Sequence, residues 1–246
     1  MDYSIYILYI VAASAPSLIW LFYYLLKDKH PEPKKAILNV FFSGAVVAAI
    51  VCLLTLLISK TIVVFFPNLL FNNIWFIVFK YFIIAALIEE VAKYLIAREF
   101  LTSSPEVDEP LDVMLYMVVA ALGFAALENL LLVFTTVAPV GLKAITDFTL
   151  SRLIGATFLH TLASGTLGFF LATSFHYVKY SKRIFFAGLF IAVLMHGFYN
   201  FFIVSFIGWQ QVLGQILVLL PLLFFTTWGF GRLRSYKAVS RINIEK

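Results

Sequence analysis

The chain has 246 residues, of which 63% are hydrophobic and only 13% are charged, with a formal net charge of +5. So few polar residues could not coat a soluble protein of this size, and so many apolar ones exclude a disordered chain. A disulfide scaffold is excluded by the single cysteine, and the basic residues stand in short clusters between apolar runs, which indicates contact with membrane lipids and not with nucleic acid.

Seven apolar runs are long enough to cross a bilayer as helices, since about 20 residues suffice. They predict an all-α, polytopic membrane helical bundle of about seven transmembrane helices in the cell membrane. In chain order these runs are Ser4–Leu26, Ala36–Ser59, Ile74–Ile96, Leu111–Ala138, Phe148–Tyr177, Ile184–Ile207 and Val212–Phe230. A shorter apolar stretch, Thr61–Phe71, contains Pro67 and is expected to be interfacial or re-entrant, or to supply an eighth membrane segment.

The connections are short, so one integral-membrane domain over residues 1–246 is expected, with a catalytic core at about 74–207. No Lys or Arg precedes the first run, so it is expected to be retained and not cleaved as a signal peptide. Basic residues outside the runs are divided unequally between the two sides. Lys60 and Lys143 lie on one side, and thirteen lie on the other: Lys27, Lys29, Lys34, Lys35, Arg98, Lys179, Lys182, Arg183, Arg232, Arg234, Lys237, Arg241 and Lys246. This bias predicts an external N-terminus and a cytoplasmic C-terminus.

A set of ionisable or strongly polar residues lies inside the apolar runs, where facing lipid would cost each charged group at least about 2.5–3.5 kcal/mol. We therefore expect them to face the bundle interior and one another. Glu89 and Lys93 are four residues apart, as are His196 and Asn200, so each pair shares one helix face. The whole set is Glu89, Glu90, Lys93, Glu128, Asn129, Arg152, His160, His196 and Asn200.

A buried polar pocket of this kind suits hydrolysis of a peptide bond. A carboxylate can take a proton from water and return it, and a His and an Asn one turn apart offer two donors to an oxyanion. The chain has no serine nucleophile elbow, no His-Glu-x-x-His zinc motif and no phosphate-binding glycine loop. Three alternatives stay open: structural ion pairs and hydrogen bonds only, a non-catalytic scaffold or binding protein, and a proton-coupled transporter.

Four motifs occur in order along the chain: Glu89-Glu90-x-x-Lys93, then Gly123-Phe124-x-x-x-Glu128-Asn129, then Arg152, His160 and Gly168 at equal spacing, and finally His196-x-x-x-Asn200. From about Ile74 to Phe202 the chain resembles the PrsW family of intramembrane proteases, within the wider superfamily of type II CAAX prenyl proteases and bacteriocin-immunity-type membrane proteins. The superfamily also resembles the scaffold subunit of gamma-secretase, which supports the scaffold alternative.

The resemblance implies roles for the polar residues. Glu89 would be the general base that activates water, and Glu90 and Lys93 would orient or neutralise the site. His196 and Asn200 would form the oxyanion hole. Glu128 stands where the prenyl proteases carry a His, and we expect it to position water or to share a proton with Glu89.

His160 matches a further polar position of the family, and Asn129 and Arg152 are expected to support the site. The resemblance also implies a substrate, a single-span membrane protein such as an anti-sigma factor, cut near the outer face. Glutamate chemistry without a metal cofactor is the favoured expectation. Zinc is the alternative, held by His160, His196 and either Glu89 or Glu128.

Overall fold

The computed structural model describes residues 3–28, 30–66, 74–103, 107 and 109–235, and it is helical throughout the regular elements of these segments. The α-helices there are α1 (Tyr3–Leu25), α2 (Lys34–Phe65), α3 (Ile74–Val78), α4 (Ile88–Ser103), α5 (Pro110–Leu132), α6 (Leu142–Ile154), α7 (Ala156–His176), α8 (Ser181–Ser205) and α9 (Trp209–Leu233). A π-helical segment, Phe79–Leu87, joins α3 to α4, and a second one, Val133–Val137, extends α5. The predicted all-α class is confirmed.

Six helical stretches are long and apolar enough to cross a membrane: Tyr3–Leu25, Lys34–Phe65, Pro110–Val137, Leu142–His176, Val178–Ser205 and Trp209–Leu233. The stretch from α3 through α4 is also long, but Lys80, Glu89 and Glu90 give its apolar part three charges. Both glutamates turn toward the bundle interior, where groups of other helices lie against them. The chain is therefore a polytopic helical bundle.

Three sequence-based boundaries differ from the structure. Helix α2 continues to Phe65, so residues 61–65 of the expected interfacial stretch are helical, and residues 67–71 lie outside the described part of the chain. Helix α4 continues to Ser103, into the polar connection expected from Ala97. The single fifth run is divided between α6 and α7.

Helix α5 lies at the centre of the bundle and contacts α1, α2, α4 and α7. Every residue from Pro110 to Ala125 is buried, as expected for a helix that is apolar on all sides. Small residues let its backbone approach α2 closely. A Cβ on Gly123 would overlap the carbonyl oxygen of Phe41, and a Cβ on Gly44 would overlap that of Ala120.

The break between α6 and α7 occurs at Gly155, which has φ −114° and ψ −105°. A Cβ there would lie 2.5 Å from both the Ser151 carbonyl oxygen and the Tyr199 hydroxyl oxygen. The last turn of α6 leaves carbonyl groups without helical partners, and Trp20 Nε1 donates a hydrogen bond to one of them, the Leu153 oxygen, at 2.7 Å. Glycine is therefore required at the break, and a hydrogen bond from α1 supports it.

Candidate active site

Five helices bring eight of the nine predicted polar residues into one hydrogen-bonded and ion-paired group, called here the polar cluster. Helix α4 contributes three residues and α5 two, while α6, α7 and α8 contribute one each. The members are Glu89, Glu90, Lys93, Glu128, Asn129, Arg152, His160 and His196. The cluster forms because a charged group in an apolar bundle is stabilised only by partners.

Glu90 is the fully buried centre of the cluster. Its Oε1 atom lies 2.8 Å from Lys93 Nζ and 2.9 Å from His196 Nδ1. Its other oxygen accepts a hydrogen bond from Ser164 Oγ at 2.7 Å. Three helices thus donate to one carboxylate, which fixes its position and compensates its charge.

Lys93 links this carboxylate to His160. Its ammonium, also fully buried, lies 2.8 Å from His160 Nδ1 and 4.6 Å from the centre of the Phe124 ring. An ammonium group only donates hydrogen bonds, so Nδ1 of His160 accepts and Nε2 carries the proton. His160 Nε2 then donates to Glu128 Oε2 at 3.0 Å.

Glu128 and Arg152 form the outer edge of the cluster. Arg152 Nη2 lies 2.5 Å from Glu128 Oε2, and its Nε donates to the side-chain oxygen of Asn129. Asn129 in turn donates to Thr157 Oγ1 at 3.0 Å. Arg152 therefore points into the bundle and not toward the membrane surface. The Glu128 side chain is 27% exposed, so the edge of the cluster is accessible from outside the protein.

Glu89 differs from the other two carboxylates of the cluster because its Oε2 atom is buried and has no hydrogen-bond partner among the described residues. Three groups surround that atom at longer range: Lys93 Nζ at 3.6 Å, His196 Nε2 at 3.7 Å and His160 Nδ1 at 3.9 Å. The His196 Nδ1 proton is directed to Glu90, so in the neutral ring Nε2 bears a lone pair that faces Glu89. Two acceptor atoms thus face each other across a small gap.

This gap can hold a metal ion. One donor atom each from Glu89, His160 and His196 lies within 4.8 Å of the others. The ligand atoms of a tetrahedral zinc ion are about 3.3–3.4 Å apart, close to the 3.7 Å and 3.9 Å that separate Glu89 Oε2 from the two imidazoles. The carboxylate of Glu90 behind His196 is a typical outer partner of a metal-binding His. The donors fit, provided that Lys93 releases Nδ1 of His160.

Asn200 is the predicted residue that stays apart. Its side chain is partly buried, one turn from His196, and makes no hydrogen bond to the described residues. Two hydroxyl residues join the network without having been predicted, Ser164 through Glu90 and Thr157 through Asn129. Ser164 stands four residues after His160 on the same helix face, and that spacing is the signal by which it could have been found.

Comparison with known proteins places the chain among membrane proteases. The model of a protein family described as "PrsW family intramembrane metalloprotease" matches residues 32–227 of this chain. Protease PrsW of Oceanobacillus iheyensis is 28% identical over 209 residues, covering 85% of this chain and 89% of that protein. Protease PrsW of Clostridioides difficile is 28% identical over 85% of this chain and 84% of its own length. Protease PrsW of Bacillus subtilis is 27% identical over 94% of this chain and 95% of its own length. No solved structure matches the chain.

Proposed function

Because the chain belongs to the PrsW family of intramembrane metalloproteases and is therefore a membrane protease, we propose that it cuts a peptide bond of a single-span membrane protein with water activated at Glu89. The relatives named Protease PrsW support proteolysis. A single-span membrane protein resembling an anti-sigma factor is our proposal for the substrate class, supported by the family match and by the partial exposure of Glu128 at the edge of the polar cluster.

One observation carries the mechanism: the buried, unpartnered Oε2 atom of Glu89. A buried carboxylate oxygen that accepts no hydrogen bond is costly, and it is the group best prepared to accept a proton from water. The other two carboxylates are occupied, Glu90 by Lys93 and His196 and Glu128 by Arg152 and His160. We therefore assign the general-base role to Glu89.

In the proposed reaction, Glu89 takes a proton from water while the water oxygen attacks the scissile carbonyl carbon. The carbonyl oxygen becomes an oxyanion, and the ammonium of Lys93, 3.6 Å from Glu89, offsets its charge. The amide group of Asn200 is available as a second donor, because it has no partner among the described residues. When the C–N bond breaks, Glu89 returns its proton to the leaving nitrogen.

The role of His196 depends on its protonation. In the imidazolium form Nε2 carries a proton and can donate to an oxyanion, the role expected from the sequence, whereas in the neutral ring Nε2 carries no proton. It can accept a hydrogen bond from the attacking water or bind a metal. Glu89, His160 and His196 are the residues that would hold a zinc ion, which when bound polarises water and the scissile carbonyl. With zinc bound, Glu90 would orient His196 through its contact with Nδ1, and Lys93 would have to release His160 Nδ1 for that atom to be a ligand.

The proposal predicts that Glu89→Gln abolishes cleavage of a co-expressed single-span membrane substrate while the protein still inserts and folds. A lost general base costs about 10²- to 10⁴-fold in rate. The matched control is Glu99→Gln, an exposed glutamate on the same helix, which should cleave at the wild-type rate. Cleavage by the Glu89→Gln variant at the control rate would contradict the proposal.

The two forms of the mechanism are separated by metal analysis of the purified protein. A zinc site held by Glu89, His160 and His196 predicts about one zinc per chain, loss of cleavage on chelation and recovery with added zinc. Water activation by Glu89 alone predicts cleavage that persists in chelator without bound metal. His196→Gln should remove the bound zinc in the first case and leave the metal content unchanged in the second.

A further inference from the structure

A groove of about 640 Å³ lies between α1, the start of α7 and α9, and none of its lining residues belongs to the polar cluster. Its walls are mainly aromatic and aliphatic, and they include Trp20, Tyr24, Phe158 and Phe230. The Trp20 and Phe158 rings stack with centroids 4.3 Å apart, and the Tyr24 and Phe230 rings lie 5.2 Å apart. The apolar walls are thus held in place by ring contacts between helices.

One end of this groove is basic. Lys27 follows the last turn of α1 and Arg234 follows the last turn of α9, so both stand where their helices leave the apolar layer. The lining contains no Asp or Glu, and among the described residues no ion pair joins either cation to a carboxylate. Both cations belong to the basic side of the chain, which the charge distribution assigns to the cytoplasm.

From this combination we infer that the groove binds a membrane phospholipid with an anionic headgroup. An acyl chain would occupy the aromatic groove, and the phosphate would lie between Lys27 and Arg234. Basic pockets at the cytoplasmic ends of transmembrane helices bind anionic headgroups in this way. A volume of 640 Å³ is within the range of specific ligand sites. A free phosphate ion would not contact the apolar walls, whereas an acyl chain would fill the space between them.

The test is lipid retention by the purified, full-length protein. The protein is exchanged into nanodiscs containing equal amounts of phosphatidylglycerol and phosphatidylcholine, and the lipids that stay bound after detergent washing are counted by native mass spectrometry. We expect at least one phosphatidylglycerol per chain and little phosphatidylcholine. In titrations, Lys27→Gln with Arg234→Gln should weaken phosphatidylglycerol binding roughly 20- to 30-fold, the effect of two basic side chains at a membrane surface.

The charge control is Lys179→Gln with Lys182→Gln, which removes two exposed cations from the same side of the protein but outside the groove. A steric variant is Gly231→Leu. Gly231 lines the groove, and a Cβ there would meet nothing within 4 Å, so a leucine can be added without displacing the helix and is expected to obstruct the groove. It should abolish retention even though both cations remain.

Two results would overturn the inference: equal retention of the two lipids by the wild type, or equal loss of phosphatidylglycerol in the groove and control variants. Competition by glycerol phosphate at the affinity of the lipid would also overturn it, because the headgroup alone would then account for binding. The experiment needs no substrate, and Glu89→Gln should retain lipid as the wild type does.

Discussion

The carboxylates of the polar cluster have different environments although they lie within one group. Glu90 accepts three hydrogen bonds and Glu128 is bound by a guanidinium and an imidazole, whereas Oε2 of Glu89 accepts no hydrogen bond among the described residues and lies 3.6 Å from Lys93 Nζ. Lys93 and Arg152 supply two positive charges for three carboxylates. The two carboxylates with short hydrogen bonds hold the site together, and Glu89, whose contacts are longer, is left free to react.

Ser164 offers a test of how much the partners of Glu90 matter. Its hydroxyl is buried and donates to a charged acceptor, so Ser164→Ala should lower the free energy of unfolding by about 1.5–3 kcal/mol and slow cleavage. The control is Ser174→Ala on the same helix, where a buried hydroxyl bonds only the carbonyl of Leu171. Denaturant titration in detergent measures the free energy of unfolding of both variants. A similar loss in the two variants would show that Glu90 does not depend on Ser164.

At this scale the sequence predicted which residues meet but not how they bond. The cost of charge in an apolar helix was enough to place Glu90 and Lys93 inside the bundle. The partner of each atom depends on helix crossing angles, which no spacing rule supplies. This is why Asn200, one turn from His196, stays outside the network while Thr157 joins it.

Among the helices, the break at Gly155 has the most direct bearing on the site. Arg152 and His160 are eight residues apart, which would separate them by about 12 Å along a continuous helix. Both nevertheless contact the same Glu128 oxygen, at 2.5 Å and 3.0 Å. The break at Gly155 lies between the two residues, so α6 and α7 each bring one of them to Glu128.

Gly155→Ala should displace α6, because the added Cβ would lie 2.5 Å from both the Ser151 carbonyl oxygen and the Tyr199 hydroxyl oxygen. We expect a loss of about 1–3 kcal/mol in the free energy of unfolding, typical of overpacking, and a reduced cleavage rate. Gly231→Ala is the control. Its Cβ would meet nothing within 4 Å, so stability should stay level or rise by up to about 1 kcal/mol. Equal stability of the two variants would contradict this account.

The sequence did not predict this break because residues 148–177 form one apolar run with three glycines, and nothing in the sequence distinguishes Gly155 from the two that only allow close packing. Length and hydropathy identify a membrane segment, but they do not reveal a helix break within it. This break is stabilised by Arg152, which binds Glu128, and by Trp20 of α1, which binds the Leu153 carbonyl. The same limit explains α4, whose extension to Ser103 includes charged residues.

For the whole molecule, the orientation in the membrane stays a prediction that rests on thirteen basic residues opposed to two. The single cysteine makes it easy to test after Cys52→Ala. A cysteine at Lys143 should react with a membrane-impermeant maleimide in intact cells, and a cysteine at Lys179 should react only after permeabilisation. Both positions are exposed on the protein surface. The opposite labelling pattern would reverse the topology.

The class of the fold could be predicted in full, because hydropathy, length and the absence of a soluble-sized polar fraction all point to the same architecture. The number of membrane-spanning helices that is counted depends on whether charged residues within an apolar stretch are allowed. Six stretches qualify by composition, and the α3–α4 stretch carries Lys80 together with two glutamates whose charges the polar cluster offsets. The packing of the other helices around α5 could not be predicted from the sequence. A helix that is apolar on all sides does not indicate which neighbour covers which side.

The central place of α5 also bears on biogenesis. Its neighbours α1, α2 and α4 are synthesised before it, but α7 emerges later. A nascent chain that has reached only α5 holds Glu90 and Lys93 without the Ser164, His160 and His196 partners that complete their bonding. Glu90 and Lys93 therefore lack part of their hydrogen bonds until the C-terminal third of the chain has been synthesised and inserted. The reactive centre is thus among the last parts of the bundle to form.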